Sequence, residues 1–222
     1  MRVLVIEDEL RLAENVARSL RESAGYAVDC AHDGQEGLHM AQSSEYDLVI
    51  LDLMLPGLDG ITVLRSLRAG GFITPVLVLT ARDEKESAVE LLNAGADDYV
   101  TKPFDLGEFI ARSKALIRRG KGKATAMLKV RGLEINTADH TVHRGKKIIV
   151  LTPMEYRVLE YLAHRKGELV SKTELLEHLY DFNWERFSNV IEVYVAGLRR
   201  KLDDREPSLI QTARGQGYML RD

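Results

Sequence analysis

Acidic, hydroxyl and ammonium side chains recur in this chain just beyond short apolar runs. Glu7 and Asp8 follow Val3-Leu4-Val5-Ile6, Asp52 follows Leu48-Val49-Ile50-Leu51, and Thr80 follows Val76-Leu77-Val78-Leu79. Lys102 and Pro103 come shortly after Tyr99-Val100. Clustered carboxylates repel one another and call for a cation. An all-oxygen set that keeps some waters suits Mg²⁺. A carboxylate kept ionised by Mg²⁺ and by Lys⁺ is a poor acid catalyst, but a good nucleophile toward phosphorus. The metal and the lysine then neutralise the oxygens of a transferring phosphoryl group. The Thr80 hydroxyl can hydrogen-bond that group once it arrives. Each acid alone would read as a solvated residue at a strand end; the joint pattern carries the chemistry.

The elements that must position these groups are legible as periodicities. Continuous Val/Ile/Leu runs fit strands buried on both faces, and a weaker run lies at Tyr26-Ala27-Val28. Between the runs, Leu12, Val16 and Leu20 recur every four residues, and Ile61, Leu64 and Leu67 every three. Gly34, Gly60, Gly95 and Pro103 punctuate the units. Alternating strand and helix predicts an α/β domain with a doubly wound parallel sheet. Ligands of such sheets bind beyond the carboxyl ends of the strands, where the polar residues fall.

The chain has 222 residues and one cysteine, Cys30, so an internal disulfide is excluded and Cys30 reads as a packing residue. No apolar run approaches the ~20 residues that span a bilayer. The first segment reaches Glu7-Asp8-Glu9 too soon for a leader peptide. A cytoplasmic protein with no membrane partner is expected. The net charge of -3 hides a split. Residues 1–117 hold 11 Lys and Arg against 20 Asp and Glu, a balance of -9, whereas residues 118–222 hold 20 against 14, a balance of +6. Such asymmetry marks an acidic module joined to one that meets a polyanion.

The sign changes at Arg118-Arg119-Gly120-Lys121-Gly122-Lys123-Ala124-Thr125-Ala126, a basic, small-residue stretch without apolar period. It reads as a flexible linker over 118–127, between a domain over 1–117 and one over 128–222. The second domain opens with short alternating segments and turns at Gly132 and Gly145, a small antiparallel sheet. Thr152-Pro153-Met154-Glu155 and Ser171-Lys172-Thr173-Glu174 are capping boxes that open helices. A third helix is expected from about Asn189 to Leu202, then a hairpin around Arg214-Gly215, the pattern of a winged helix-turn-helix. At 100° per residue, Ile191, Val195, Leu198 and Leu202 share the core stripe. Asn189, Val193, Ala196, Gly197 and Arg200 lie opposite, with Arg199 on the flank. A helix of this size fits the major groove, where Val193 can meet a thymine methyl group. Gly197 costs about 1 kcal/mol relative to Ala, a cost that close approach to DNA would explain. Arg214 at a tight tip suits a minor groove. His140 and His143 read as surface residues rather than a metal site.

Two sets of motifs resemble one known family. Val5-Ile6-Glu7-Asp8-Glu9, Asp52-Leu53-Met54-Leu55-Pro56-Gly57-Leu58-Asp59-Gly60, Leu79-Thr80-Ala81-Arg82 and Gly95-Ala96-Asp97-Asp98-Tyr99-Val100-Thr101-Lys102-Pro103-Phe104 resemble the receiver domain of bacterial two-component response regulators. Leu151-Thr152-Pro153-Met154-Glu155-Tyr156, Asn189-Val190-Ile191-Glu192-Val193-Tyr194-Val195, Leu198-Arg199-Arg200-Lys201-Leu202 and Thr212-Ala213-Arg214-Gly215-Gln216-Gly217-Tyr218 resemble the effector domain of its OmpR/PhoB branch. The resemblance implies a five-stranded receiver of flavodoxin-like order 2-1-3-4-5. It implies Asp52 as the acceptor of phosphoryl from a sensor histidine kinase, with Thr80 and Lys102 binding that group. Mg²⁺ would be held by Asp8, Asp52 and the Met54 carbonyl, and by Glu7 through water. Thr80 and Tyr99 would form the switch. Asn189, Val193, Tyr194, Ala196, Gly197, Arg199, Arg200, Thr212, Arg214 and Tyr218 would meet promoter DNA.

Phosphorylated receivers of this family pair into homodimers. Here Val89, Leu92 and Ile110 match the apolar patch, and Asp97, Asp98, Glu108, Arg112, Lys114, Arg118 and Arg119 match much of the surrounding charge network. Ala88 stands where a basic partner of Glu108 is usual. The loop from Tyr180 to Phe187, with the only Trp, falls where the family contacts RNA polymerase. The helix from Asn189 has fewer arginines than many relatives, which affects sequence preference and salt dependence. The implied function is a phosphorylation-dependent transcription factor rather than an enzyme, with only its own phosphoryl transfer and slow autodephosphorylation to catalyse. An aspartyl-phosphate phosphohydrolase is the rival, but it would need an acid two residues after Asp52, where Met54 stands. A phosphorylation-independent DNA-binding protein has no use for Asp8, Asp52 and Lys102 together.

Overall fold

The structure is a computed structural model that describes residues 1–81, 85–180, 189–202 and 208–221, following only the course of the helix through 85–88. Two compact units are present, Met1–Lys123 and Ala124–Asp222. The first is a parallel sheet of β1 (Arg2–Ile6), β2 (Ala27–Ala31), β3 (Leu48–Asp52), β4 (Val76–Thr80) and β5 (Asp98–Thr101), in the order β2-β1-β3-β4-β5. Helices α1 (Leu10–Ala24), α2 (Gly34–Ser43), α3 (Gly60–Ala69), α4 (Lys85–Asn93) and α5 (Leu106–Gly120) connect and cover it. β1, β3 and β4 are buried at every position, as their unbroken apolar runs require. The core between sheet and helices holds Leu4, Ile6, Leu51, Val63, Leu64 and Val78.

Register sets the carboxyl ends side by side. Ile6 pairs with Leu51, Asp52 with Leu79, and Thr80 with Thr101. The strand order reverses between β1 and β3, so the crevice opens where Glu7, Asp8 and Asp52 emerge. Aspartates cap three of the helices. Asp33, Asp59 and Asp105 accept hydrogen bonds from the amides of Glu36, Thr62 and Glu108, each cap worth about 1 kcal/mol. The chain turns from β3 into α3 so tightly that a Cβ on Gly60 would sit 2.1 Å from the Asp52 carbonyl oxygen. The Gly60 amide donates to the Leu53 carbonyl at 3.0 Å in the same turn.

Helix α5 runs on to Gly120, so Arg118, Arg119 and Gly120 are helical rather than part of a flexible linker, and the first unit ends only at Lys123. The stretch looked unstructured because a helix's last turn favours cations, which oppose its partial negative charge. Lys121 then pairs with the buried Asp47 at 2.5 Å and pins the helix end to the sheet.

The second unit opens with the antiparallel meander β6 (Met127–Val130), β7 (Leu133–Asn136), β8 (Thr141–Arg144) and β9 (Lys147–Ile148). Helices α6 (Pro153–His164), α7 (Lys172–Leu179) and α8 (Val190–Lys201) follow, then the hairpin of β10 (Ile210–Ala213) and β11 (Gly217–Leu220). The capping box of α6 is complete. That of α7 is half made: Ser171 caps the Glu174 amide, but the Glu174 carboxylate turns to Tyr161 and Arg165. Ile191, Val195, Leu198 and Leu202 are all buried, as the stripe predicts. No helix among the described residues is long and apolar enough to cross a membrane.

Gly60→Ala should destabilise the first unit by about 1–3 kcal/mol, because the new methyl group meets backbone that cannot swing aside. Urea unfolding measures this; an unchanged midpoint would mean that the turn has slack.

Candidate phosphoryl site and DNA-binding surface

The Lys102 ammonium lies between two carboxylates, 2.7 Å from Glu7 Oε2 and 2.9 Å from Asp52 Oδ2. Glu7, Asp52 and Thr80 are buried, Lys102 is half-buried and Asp8 is exposed. The Lys102 amide donates to the Thr80 carbonyl at 2.7 Å, tying the ends of β4 and β5 together. Burial pulls the Lys102 ammonium down, but the hydrogen bonds and charges of Glu7 and Asp52 outweigh it and hold the group above its ordinary value. Burial, helped by the Asp52 charge, raises the Glu7 carboxyl despite Lys102. One ammonium therefore leaves the cluster short of positive charge.

Glu7, Asp8 and Asp52 can each offer an oxygen within 4.8 Å of the others, and among the described residues no other His, Cys, Asp and Glu group could hold a metal ion. All-carboxylate donors with one exposed member fit a hard, partly hydrated cation such as Mg²⁺. Met54 is 74% exposed, and because a thioether is too soft a donor for such a cation, only its carbonyl suits that set. His140 instead stacks on Tyr156, with ring centroids 4.8 Å apart. Tyr99 is half-buried on β5, beside Val78, and packs against the core.

On the α4–β5–α5 face, Val89 and Leu92 are exposed and Ile110 is half-buried. Arg112 bridges Asp98 at 2.9 Å and Glu108 at 2.7 Å within the chain. Its hydrogen bonds to the accepting carboxylates of Glu108 and then Asp98 hold the guanidinium above the ordinary value. Asp97 is exposed, pairs with Arg68 of its own chain at 2.7 Å and accepts from the Val76 amide at 2.8 Å. The side chain of Ala88 lies outside the described residues.

In the second unit, Asn189, Val193, Ala196 and Arg200 form the exposed face of α8, and Thr212 and Arg214 are exposed on the hairpin. Four expected DNA residues are placed otherwise. Gly197 is buried rather than on the outer face: a Cβ there would lie 2.4 Å from Glu155 Oε1 of α6. The 100° plot misplaced it because a wheel shows no neighbouring helix. Tyr218 is buried, only 4% exposed. Arg199 is half-buried and donates to the Ile210 carbonyl and the Thr212 hydroxyl. Tyr194 is half-buried, its hydroxyl 2.8 Å from that of Tyr180. The rest of the expected polymerase loop, 181–187, lies outside the described residues.

One link escaped the sequence reading. Glu155 Oε2 accepts from the Thr152 amide at 2.7 Å and from Lys201 Nζ at 2.6 Å, so the carboxylate that caps α6 also holds the end of α8. Its capping role was legible, but its reach across 46 residues to Lys201 had no local signal.

Residues 3–114 match the response regulator receiver domain, and residues 145–220 match the C-terminal domain of transcriptional regulatory proteins. Site and fold thus define a transcriptional regulator with a receiver input and a DNA-binding output. The chain belongs to the OmpR/PhoB family of two-component response regulators. It is 42% identical to the transcriptional activator protein IrlR of Burkholderia pseudomallei, over 99% of this chain and 96% of that protein. It is likewise 42% identical to the response regulator MprA of Mycobacterium tuberculosis, over 100% of this chain and 98% of that protein. Its first unit resembles the receiver domain of the Francisella response regulator 1452, with a TM-score of 0.52 and 39% identity over 53% of this chain and 97% of that one.

Burial acts to raise the Glu155 carboxyl, but Lys201 and the Thr152 amide overcome it and hold the group below its ordinary value. This stabilisation is present above the unfolded pKa and is lost as pH falls through the lower folded one. Glu155→Gln should therefore destabilise the effector unit at neutral pH by about 1–2 kcal/mol. It should also reduce the loss of stability below about pH 4.5. Thermal unfolding of both proteins at pH values from neutral down to about 3 checks this; parallel profiles would remove Glu155 from the pH response.

Proposed function

We propose that Asp52 accepts a phosphoryl group from a sensor histidine kinase and that this switches promoter binding by the effector domain. The bridging of Glu7 and Asp52 by Lys102 is the observation that carries the reading. An Asp52 carboxylate oxygen forms the new P–O bond while the P–N bond of the kinase phosphohistidine breaks, the electron pair leaving with the imidazole. Asp8, Asp52 and the Met54 carbonyl would hold Mg²⁺, with Glu7 acting through water; when bound, the ion neutralises phosphoryl oxygens. Lys102 turns from the Asp52 carboxylate to the new phosphoryl group, and the Thr80 hydroxyl donates to it. Tyr99, on the strand paired with that of Thr80, follows the movement. Slow hydrolysis of the acyl phosphate resets the protein.

The altered α4–β5–α5 face then pairs with a second copy through Val89, Leu92 and Ile110. Asp98, Glu108, Arg112, Lys114, Arg118 and Arg119 supply the surrounding charges. Asp97, which also pairs with Arg68 of its own chain, joins them. Two effector domains place the exposed face of α8 in successive major grooves, with Asn189, Val193, Ala196 and Arg200 toward the bases and phosphates. Arg214 enters the minor groove. RNA polymerase is the partner of the bound pair.

Incubation with acetyl phosphate and Mg²⁺ should add one phosphoryl group by intact mass and raise the dimer fraction in sedimentation. Asp52→Asn should show neither change. A wild-type protein that gains no mass would sink the switch; a gain without dimerisation would remove only the pairing step.

A further inference from the structure

The hairpin is fastened on both strands. Tyr218 on β11 exchanges two backbone hydrogen bonds with Val170, each 2.8 Å, just before α7. The tie on β10 is a side chain. Arg199 of α8 donates to the Ile210 carbonyl from Nε at 3.1 Å and from Nη2 at 2.6 Å, and from Nη2 to the Thr212 hydroxyl at 2.8 Å. Thr212 is two residues before Arg214, and the Gln216 amide closes the intervening turn on the Ala213 carbonyl at 2.9 Å. Thr212 and Ala213 also pair with Tyr218 and Gly217 across the hairpin. The link from α8 to the tip is therefore short and hydrogen-bonded throughout.

Arg199 and Arg200 are adjacent but differently used. Arg200 is exposed on the outer face of α8, whereas the half-buried Arg199 has its planar fork turned onto the hairpin. A guanidinium so engaged is poorly placed to grip a phosphate as well, and its fixed geometry makes it a rigid spacer. We propose that Arg199 is a positioning residue that sets Arg214 at the correct distance from the exposed face of α8, coupling minor-groove to major-groove contact. This rests on the reading of Arg214 as a DNA contact.

The test is a double-mutant cycle on full-length protein treated with acetyl phosphate. The probe is a duplex that the wild-type protein selects from a randomised pool, with affinity measured across a salt series. Arg214→Ala should weaken binding about tenfold and lower the salt slope by about one. Arg199→Ala should match it, and the double variant should lie within about twofold of either single one, its slope lowered by about one rather than two. Arg199→Lys keeps the charge but not the fork and should behave as Arg199→Ala. Thr212→Val guards against a hairpin that fails to fold without Arg199: it should weaken binding about threefold alone, and not at all in the Arg214→Ala background. Additive losses with a slope lowered by two would show that Arg199 holds a phosphate itself and would overturn the inference. Wild-type affinity in Arg214→Ala would overturn the hairpin reading, and this inference with it.

Discussion

The receiver depends on one ammonium placed where three acids converge. Carboxylates are costly to bury without a partner, yet Glu7 and Asp52 are both buried at the crest of the sheet. Lys102 makes this tolerable without neutralising the cluster, and the remaining negative charge is what a bound cation would offset. The arrangement requires β1, β3 and β5 to end at one level, which the parallel register enforces. It also requires the chain to leave β3 without blocking the crevice, which explains the tight turn at Gly60. A shift of register by one residue would send Asp52 to the other face of the sheet and dissolve the site.

The effector domain solves a related problem with other means. Helix α8 keeps one face exposed while its apolar stripe and its polar ties hold the others. Ile191, Val195 and Leu198 supply the apolar anchor. Directional ties come from Lys201 to Glu155, from Lys172 to Glu192 and from Arg199 to the hairpin. Each engages a different element, α6, α7 and β10, so together they resist rotation of α8 about its axis. Burial alone would resist rotation less well, because apolar contact is not directional.

Most of the fold was legible because it is written in local periods. The apolar runs gave the strands, the three- and four-residue repeats gave helices, and Thr152 and Ser171 marked helix starts. The meeting of Glu7, Asp8, Asp52 and Lys102 was legible for the same reason: strand ends are predictable, and residues at adjacent strand ends must meet. What escaped depends on contacts between distant segments. Gly197 looked like an accommodation to DNA because nothing nearby announces the Glu155 carboxylate in its place. Arg199 and Tyr218 carry side chains that suit DNA, but their tertiary neighbours claim them. Arg118 and Arg119 read as linker because a charged helix end and a charged loop have the same composition.

The acidity of the first half likewise divides into two kinds that composition cannot separate. Asp33, Asp59 and Asp105 are bound to helix amides, and Asp29 and Asp47 are buried against Arg2 and Lys121. These acids are committed to the fold and add little to an external field, since each lies against a positive dipole or a cation. At this strand edge Glu7, Asp8 and Asp52 outnumber Lys102, so negative charge remains uncompensated there. Part of the domain balance of -9 is thus structural, and the chemically useful part is a local excess at one strand edge. In the basic half, too, Lys172, Lys201 and Arg199 serve internal ties, which leaves Arg200 and Arg214 as the cations on α8 and the hairpin that face outward. Net charge points to the kind of partner each half meets, but the unpaired charges decide where the partner is met.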